Sequence, residues 1–293
     1  MERYGMKTLI LLMLGVVLLV GCSSDDSDNA VISSEPDLSP DVHQVPSEYP
    51  TLATAIGAAD DGDTVLVAPG SYTGAGNRDI YLSQVSLVIR SEQGPGETIL
   101  DLRGDALTPH FGFNVSGQSD NLVIDGFTFR GGYAPHGAAI MVRSSSPTIR
   151  NCVFVGNEAS TSGGAVRCKG SSPRIENCTF VGNSATVGGA LQVLANSSPV
   201  LDRCILAMSG EGGAVYSNDG TSVPQLSCCV IYGNTGGNWD GRIADQASQN
   251  GNQEIDPLFC EPLGDFHLRP GSPCLPANNN CGVRVGALGE GCP

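Results

Sequence analysis

Arg143 and Lys169 stand 26 positions apart, with Arg167 two residues before Lys169. If the chain repeats at that interval as stacked coils of parallel strand, Arg143 and Lys169 lie about 5 Å from each other on one face. Alternation along a strand then turns Val166 and Cys168 inward and Arg167 and Lys169 outward. The coil before contributes outward Met141 and Arg143, the coil after Gln192 and Leu194, and the next Tyr216. Like charges that close, on an acidic chain, invite an anion between them. The expected site is therefore a groove for an anionic glycan or carboxylate at Arg143, Arg167, Lys169 and Gln192, with Tyr216 as a stacking edge. Two other readings stand beside it: a solvated face of screened charges, and β-elimination on a uronate polymer with Lys169 or an Arg as the base. No residue is assigned a catalytic role. Acid–base cleavage of a glycoside needs two carboxylates facing each other, and no Asp or Glu recurs at equal phase in three successive coils beside a polar cluster. Asp101, Asp125, Arg150, Glu176 and Asp202, spaced 24, 25, 26 and 26, read as a self-compensating ladder on a solvated face. Trp239, the lone Trp, sits between glycines and reads as a packing anchor, with sugar stacking as the alternative.

The elements that must carry these residues follow from the period. Pro147, Pro173, Pro199 and Pro224 step by 26, 26 and 25, and Cys152, Cys178, Cys204 and Cys229 step identically. Between them recurs Gly163-Gly-Ala-Val, Gly188-Gly-Ala-Leu, Gly212-Gly-Ala-Val. Such periodicity is the mark of a solenoid. A repeat this short, built of β-branched runs broken by Gly, Asn and Ser-Pro, has no room for a helix in each turn. The expected fold is all-β: a single-stranded right-handed parallel β-helix. Ile149, Cys152 and Phe154 point inward, as do Ile175, Cys178 and Phe180 one coil on, and Asn151 and Asn177 mark the bend between two faces. Asn157, Asn183 and Asn234 share one later position, where Asn accepts a left-handed backbone and hydrogen-bonds to its copies above and below. Tyr49 to Ala59 has apolar residues at helical spacing, which predicts a short N-terminal helix plugging the open end.

The pairing of Gly-Gly-Ala-Val/Leu with Phe154-Val-Gly-Asn157 and Phe180-Val-Gly-Asn183 resembles the repeat of chlamydial polymorphic outer-membrane proteins over roughly residues 136–236. That resemblance implies a β-helix with an adhesive role. The opening passage, Tyr49 to Tyr72, is similar to that of many pectin-lyase-like β-helix proteins. Asp256-Pro-Leu-Phe-Cys260, Gly264 to Cys274 and Gly286-Ala-Leu-Gly resemble the closing segment of bacterial right-handed β-helix repeat proteins. The catalytic signatures of polygalacturonases, pectate lyases and pectin methylesterases are missing, so the likeness brings no catalytic residues with it.

The first residues decide the compartment. Arg3 and Lys7 precede an apolar run from Leu9 to Val20, too short to span a bilayer comfortably, and Leu19-Val-Gly-Cys22 follows. This resembles the signal peptide and lipobox of bacterial lipoproteins, which implies that residues 1–21 are removed and Cys22 is acylated and anchors the chain to a membrane. Ser-Asp-Asp after the cysteine resembles sorting signals of outer-membrane and surface lipoproteins, so the expected location is the cell envelope, at the outer membrane or cell surface. Residues 23–50 hold seven acids, four prolines and no Lys or Arg. Too apolar-poor to offset its ordering entropy, the stretch 22–46 is expected to be a disordered tether, with the β-helix at 47–293, clear repeats at about 120–236 and a disulfide-rich closing segment at about 255–293.

The whole chain of 293 residues has 15 Lys+Arg against 30 Asp+Glu. That balance leaves no electrostatic footprint for nucleic acid, and the expected partners are the membrane and an anionic glycan or surface protein. Eleven cysteines suit an oxidising compartment. Inward Cys152, Cys178, Cys204 and Cys229 can either bridge or serve as small core residues. Cys260, Cys274, Cys281 and Cys292 lie in loop-rich sequence and are expected to form two disulfides among themselves. With no Cys-x-x-Cys pair and four histidines, no metal site is expected, and no cofactor motif is present.

Overall fold

A computed structural model describes residues 39–292 apart from 118, 218 and 263. Three long parallel sheets of eight, seven and six strands run side by side, and the chain visits them in turn, so the structure is a parallel β-solenoid of about seven coils. One coil shows the plan: Thr148–Arg150 in the first sheet, Val153–Val155 in the second, Glu158–Ser162 in a short three-stranded extra sheet, and Val166–Lys169 in the third. The alternation rule holds. Ile149, Cys152, Phe154, Val166, Cys168, Ile175, Cys178 and Phe180 are all completely buried, and Phe129, Phe154 and Phe180 stack with ring centroids 5.3 and 4.6 Å apart.

Left-handed residues turn the corners, but one position is not where the repeat suggested. Asn151 and Asn177, with Arg203 and Cys228 below them, do have positive φ at the bend between the first two sheets. At the next corner the left-handed residue is Gly156, Gly182, Met208 or Gly233, and the Asn that follows does the bonding. Asn183 Oδ1 accepts from both the backbone N and Nδ2 of Asn157 at 3.0 Å, while Asn183 Nδ2 donates to the Phe154 carbonyl at 2.9 Å. Glycine takes the turn without a Cβ penalty, which frees the Asn side chain to point into the core and satisfy backbone groups of the adjacent coil.

The charged ladder also changes. Arg90, Asp125, Arg150, Glu176, Asp202 and Ser227 align on the first sheet, with Arg150 Nε 2.9 Å from Asp125 Oδ2. Asp101 belongs to the second sheet, where it pairs with Arg130 at 2.9 Å. The coil that contains it carries a long loop before the third sheet, so counting back 24 residues lands on the wrong face. The compensating character of the ladder stands.

The N-terminal end is closed by the helix Leu52–Ala58, started by a capping box of Thr51 and Thr54 and seated on buried Leu52 and Ala55. The domain starts earlier than the tether reading placed it. Val42–Val45 is a strand paired with Thr64–Val67, and His43 is held between Asp63 Oδ2 at 2.9 Å and the Tyr49 hydroxyl at 3.2 Å. Val42-His-Gln-Val45 carries no apolar alternation, since Val42 is exposed and only Val45 is buried, and it stands in acidic, proline-rich surroundings. The signal peptide, Cys22 and residues 22–38 of the tether lie outside the described residues. At the other end Trp239 and Ile243 cap the last coil, both in the main core cluster, which makes Trp239 a packing anchor.

The closing segment lies along the side of the solenoid. The antiparallel pair Phe259–Glu261 and Asp265–Leu268, with Cys274, Val285 and Ala287, covers the outward Val153, Val181, Ile205, Ala207 and Val230 of the second sheet. Two disulfides staple it, Cys260–Cys292 and Cys228–Cys281. The expected pairing within the last four cysteines is thus half right: Cys281 reaches back to the corner residue Cys228, and Cys274 is a free, fully buried thiol held up at about 12 by burial. Cys152, Cys178, Cys204 and Cys229 are likewise free and buried. Burial holds the thiols of Cys168, Cys178 and Cys229 well above the ordinary cysteine value, so they act as apolar core and not as nucleophiles. The Cys228–Cys281 bridge closes a span of 53 residues. Cys228→Ser with Cys281→Ser is expected to cost about 2–4 kcal/mol in urea unfolding; a loss below about 0.5 kcal/mol would show that the side clasp holds without it.

Candidate functional site

The outer face of the third sheet carries two columns of side chains in register. The first runs Tyr81, Asn114, Met141, Arg167, Gln192, Tyr216, and the second Ser83, Ser116, Arg143, Lys169, Leu194. All five residues expected to form the groove, Arg143, Arg167, Lys169, Gln192 and Tyr216, therefore stand together, at steps of about 4.8 Å along the solenoid. Neither column contains a carboxylate. No ion pair or hydrogen bond among the described residues engages the side chains of Arg143, Arg167 or Lys169, whereas Arg150 and Arg174 on the first sheet and Arg203 at its corner each meet an acid. Next to the second column, Asp219 has its oxygens occupied by the backbone N–H groups of Ala195, Thr221 and Ser222.

This face is not simply solvated. Met141 is 4% exposed and Gln192 9%, although both point away from the core. The cover is the corner that precedes each strand of the third sheet. There Gly163 has φ +64°, and a Cβ on it would lie 3.1 Å from Arg167 Cβ and 2.5 Å from the Val166 carbonyl. Only glycine lets the chain fold this closely over the outward side chains, which is the physical reason for the repeated Gly-Gly-Ala phrase. The extra sheet, Tyr133–His136, Glu158–Ser162 and Ser184–Val187, leads into this corner, and its Ala134, Pro135 and His136 line the cavity at one end of the face.

At the Tyr81 end the groove widens into a cavity of about 220 Å³ between Tyr81, Phe111, Asn114, His136, Met141 and Arg143. Tyr81 packs edge-on against Phe111 with centroids 5.4 Å apart, and is 70% exposed, so its ring is a free platform. A second cavity, about 260 Å³, lies at the other end beside Tyr216, Ser217 and Asp240. His136, Asn114, Tyr81 and Phe111 went unread in the sequence. Tyr81 and Asn114 are 33 residues apart where the clear repeats step by 26, so their phase could not be carried backward, and His136 stands on the extra sheet, which has no counterpart in most coils.

Two buried polar atoms in the groove have no partner: Arg167 Nε and Gln192 Oε1. Burial, and then the charge of Arg143, holds the Arg167 guanidinium below its ordinary value, so its charge is poorly compensated by the protein itself. His136 Nδ1 is 2.9 Å from Ser162 Oγ, and its imidazole is held below 6.5 by burial first and then by Arg167, Arg143 and Lys169. It is neutral at neutral pH. The unfolded chain, with the ordinary value, takes up the proton first, so this group lowers stability as pH falls through 6.5. An anion in the groove offsets the three cations and favours the protonated ring. Affinity for an anion is therefore expected to rise several-fold between about pH 7.5 and about pH 5.5, and His136→Gln to flatten that dependence in titration calorimetry. Equal slopes for both proteins would remove His136 from the groove's electrostatics. Among the described residues no group of three or more His, Cys, Asp or Glu is placed to hold a metal ion.

Fold and site together define a parallel β-helix protein with a cationic lateral groove. Residues 111–247 match the family model described as the right handed beta helix region, a stretch that includes Arg143, Arg167, Lys169, Gln192 and Tyr216 but not Tyr81. No curated protein matches the chain. Among solved structures it is similar to a PL6 family alginate lyase, AlyGC, solved as a mutant, at 12% identity and a TM-score of 0.32. The match covers 67% of this chain and 39% of that one, so the chain spans well under half the length of that structure.

Proposed function

We propose that the chain is a cell-envelope lipoprotein, held at the outer membrane or cell surface through acylated Cys22, whose β-helix binds an acidic glycan along the third sheet without cleaving it. The observation that carries this reading is the set of three cations, half-buried Arg167 between exposed Arg143 and Lys169, gathered on one face without an acid in a chain whose formal net charge is −15. Charges of one sign gathered on a face raise the local concentration of a ligand of the opposite sign. Tyr81 and Tyr216 at the two ends add faces on which sugar rings can stack. The columns contain no carboxylate, so the groups that two-carboxylate glycoside hydrolysis requires are not supplied by this face. A display of this kind at the cell surface serves adhesion.

The test incubates the intact chain in detergent with acidic and neutral polysaccharides, scoring retention and ultraviolet-absorbing unsaturated products together. Retention on acidic polymers alone, without product, supports the reading. Product that disappears with Lys169→Ala would replace it with β-elimination, and retention of neither class would move the search to protein partners.

A further inference from the structure

Tyr81 stands on the edge strand of the third sheet, Ile80–Ser83, where the first column of side chains ends. Its ring is 70% exposed and adds little to the core, yet the chain builds a support for it. The long loop between the strands Thr98–Asp101 and Phe113–Ser116 returns to set Phe111 edge-on against Tyr81 at 5.4 Å. That loop is pinned through Asp79. The Asp79 backbone N–H donates to the Phe111 carbonyl at 2.7 Å, Oδ1 accepts from the Phe111 N–H at 3.0 Å, and Oδ2 lies 2.7 Å from His110 Nδ1. The aromatic pair borders the cavity of about 220 Å³, which buried Met141, His136, Asn114 and exposed Arg143 also line. Among the described residues no hydrogen bond engages the side-chain amide of Asn114, and no acid meets Arg143. The strands that carry Tyr81 and Arg143 are two steps apart, about 10 Å. The space is smaller than the roughly 300–1,000 Å³ of pockets that enclose drug-sized ligands, and suits one pyranose ring.

We infer that this cavity is a subsite for a single uronate unit, its ring stacked on Tyr81, its carboxylate on Arg143 and a ring hydroxyl on the Asn114 amide. This rests on the reading that the third sheet binds an acidic glycan, and it fixes where one sugar ring sits. The physical basis is the match of three different surfaces around one small space. A pyranose offers an apolar C–H face to an aromatic ring, hydroxyls that both donate and accept to an amide, and, when oxidised to a uronate, a carboxylate to a guanidinium. Cations alone would hold any polyanion alike. Stacking adds selection for a ring with an apolar face, so Tyr81 supplies affinity for the sugar and Arg143 the preference for its charged form.

The experiment labels the methionine methyl groups of the intact chain with carbon-13 and follows Met141 by nuclear magnetic resonance in detergent. Met208, at a corner of the second sheet, is the internal reference. The probes are the methyl glycosides of glucuronate and galacturonate and their neutral counterparts, methyl glucoside and methyl galactoside. At least one uronoside is expected to shift Met141 with a dissociation constant of about 1–10 mM, and its neutral counterpart to bind about two- to five-fold more weakly. In Arg143→Gln the two bind equally. Tyr81→Ala weakens both by about three- to ten-fold, and Tyr81→Phe, which keeps the ring, recovers most of that loss. Equal binding of uronoside and neutral glycoside by the wild-type chain overturns the inference, and this arm needs no variant to fold. Affinity unchanged in Tyr81→Ala also overturns it. Acidic polymer retained by the wild-type chain while neither uronoside moves Met141 overturns the subsite alone and leaves the binding reading standing. If no polymer is retained and Met141 does not move, both fall.

Discussion

Replacing Arg143, Arg167 and Lys169 together by Gln is expected to lower affinity for an acidic polysaccharide by about a hundred- to a thousand-fold while leaving the thermal midpoint unchanged or slightly raised. The contributions are unequal. A hydrogen bond to a charged group is worth about 1.5–3 kcal/mol, and Arg167, half-buried in the groove, should supply most of that range alone. Arg143 and Lys169 are exposed, where solvent screening reduces an ion pair to about 0.2–1 kcal/mol. Single changes therefore order as Arg167→Gln well above Arg143→Gln or Lys169→Gln. None of the three has an acid partner among the described residues, so neutralising them strands nothing and relieves repulsion between Arg143 and Lys169, which are register neighbours. Affinity of the wild-type chain should fall steeply with salt, and that of the triple variant should be nearly flat. Retention unchanged in the triple variant would place the glycan elsewhere; a collapse in melting temperature would make the cluster structural.

Asn183→Ala is expected to be the most damaging polar substitution in the coils, at about 3–5 kcal/mol in urea unfolding with little change in the denaturant slope. Its amide is fully buried and, among the described residues, is the partner of Asn157 Nδ2 toward the next coil, the Phe129 carbonyl being its partner on the other side. Its loss leaves the backbone N–H of Asn157 and the Phe154 carbonyl without the bonds that Asn183 now supplies at 3.0 and 2.9 Å. Both asparagines are fully buried, so water is not at hand to replace those bonds. Asn183→Asp should be at least as costly, since a carboxylate accepts but does not donate and is itself buried. Glu176→Ala, on the compensated ladder outside, is the control and should change stability by under about 1 kcal/mol. A cost below about 1 kcal/mol for Asn183→Ala would show that the asparagine column is dispensable.

Much of this molecule follows from local rules acting on the sequence. A period of 26 residues stacks each strand on its copy, and the two-residue repeat of a strand then sends Ile149, Phe154 and Cys168 to the core and Arg143, Arg167 and Lys169 to the surface. Both are consequences of covalent geometry, so they are readable one residue at a time and do not depend on what the rest of the chain does. The same period and alternation put Arg143, Arg167, Lys169, Gln192 and Tyr216 on one face. What covers an outward face is a different kind of question, answered by segments far away in sequence whose docking energy is spread over many weak contacts. The tail at Phe259 to Ala287 lies over Val153 and Val181, Cys281 crosses 53 residues to Cys228, and the strand at Val42 joins the sheet because His43 finds Asp63 and Tyr49. Only the folded chain shows Met141 and Gln192, outward by alternation, shielded behind the glycine corners, and that cover leaves Arg167 half-buried between two exposed cations.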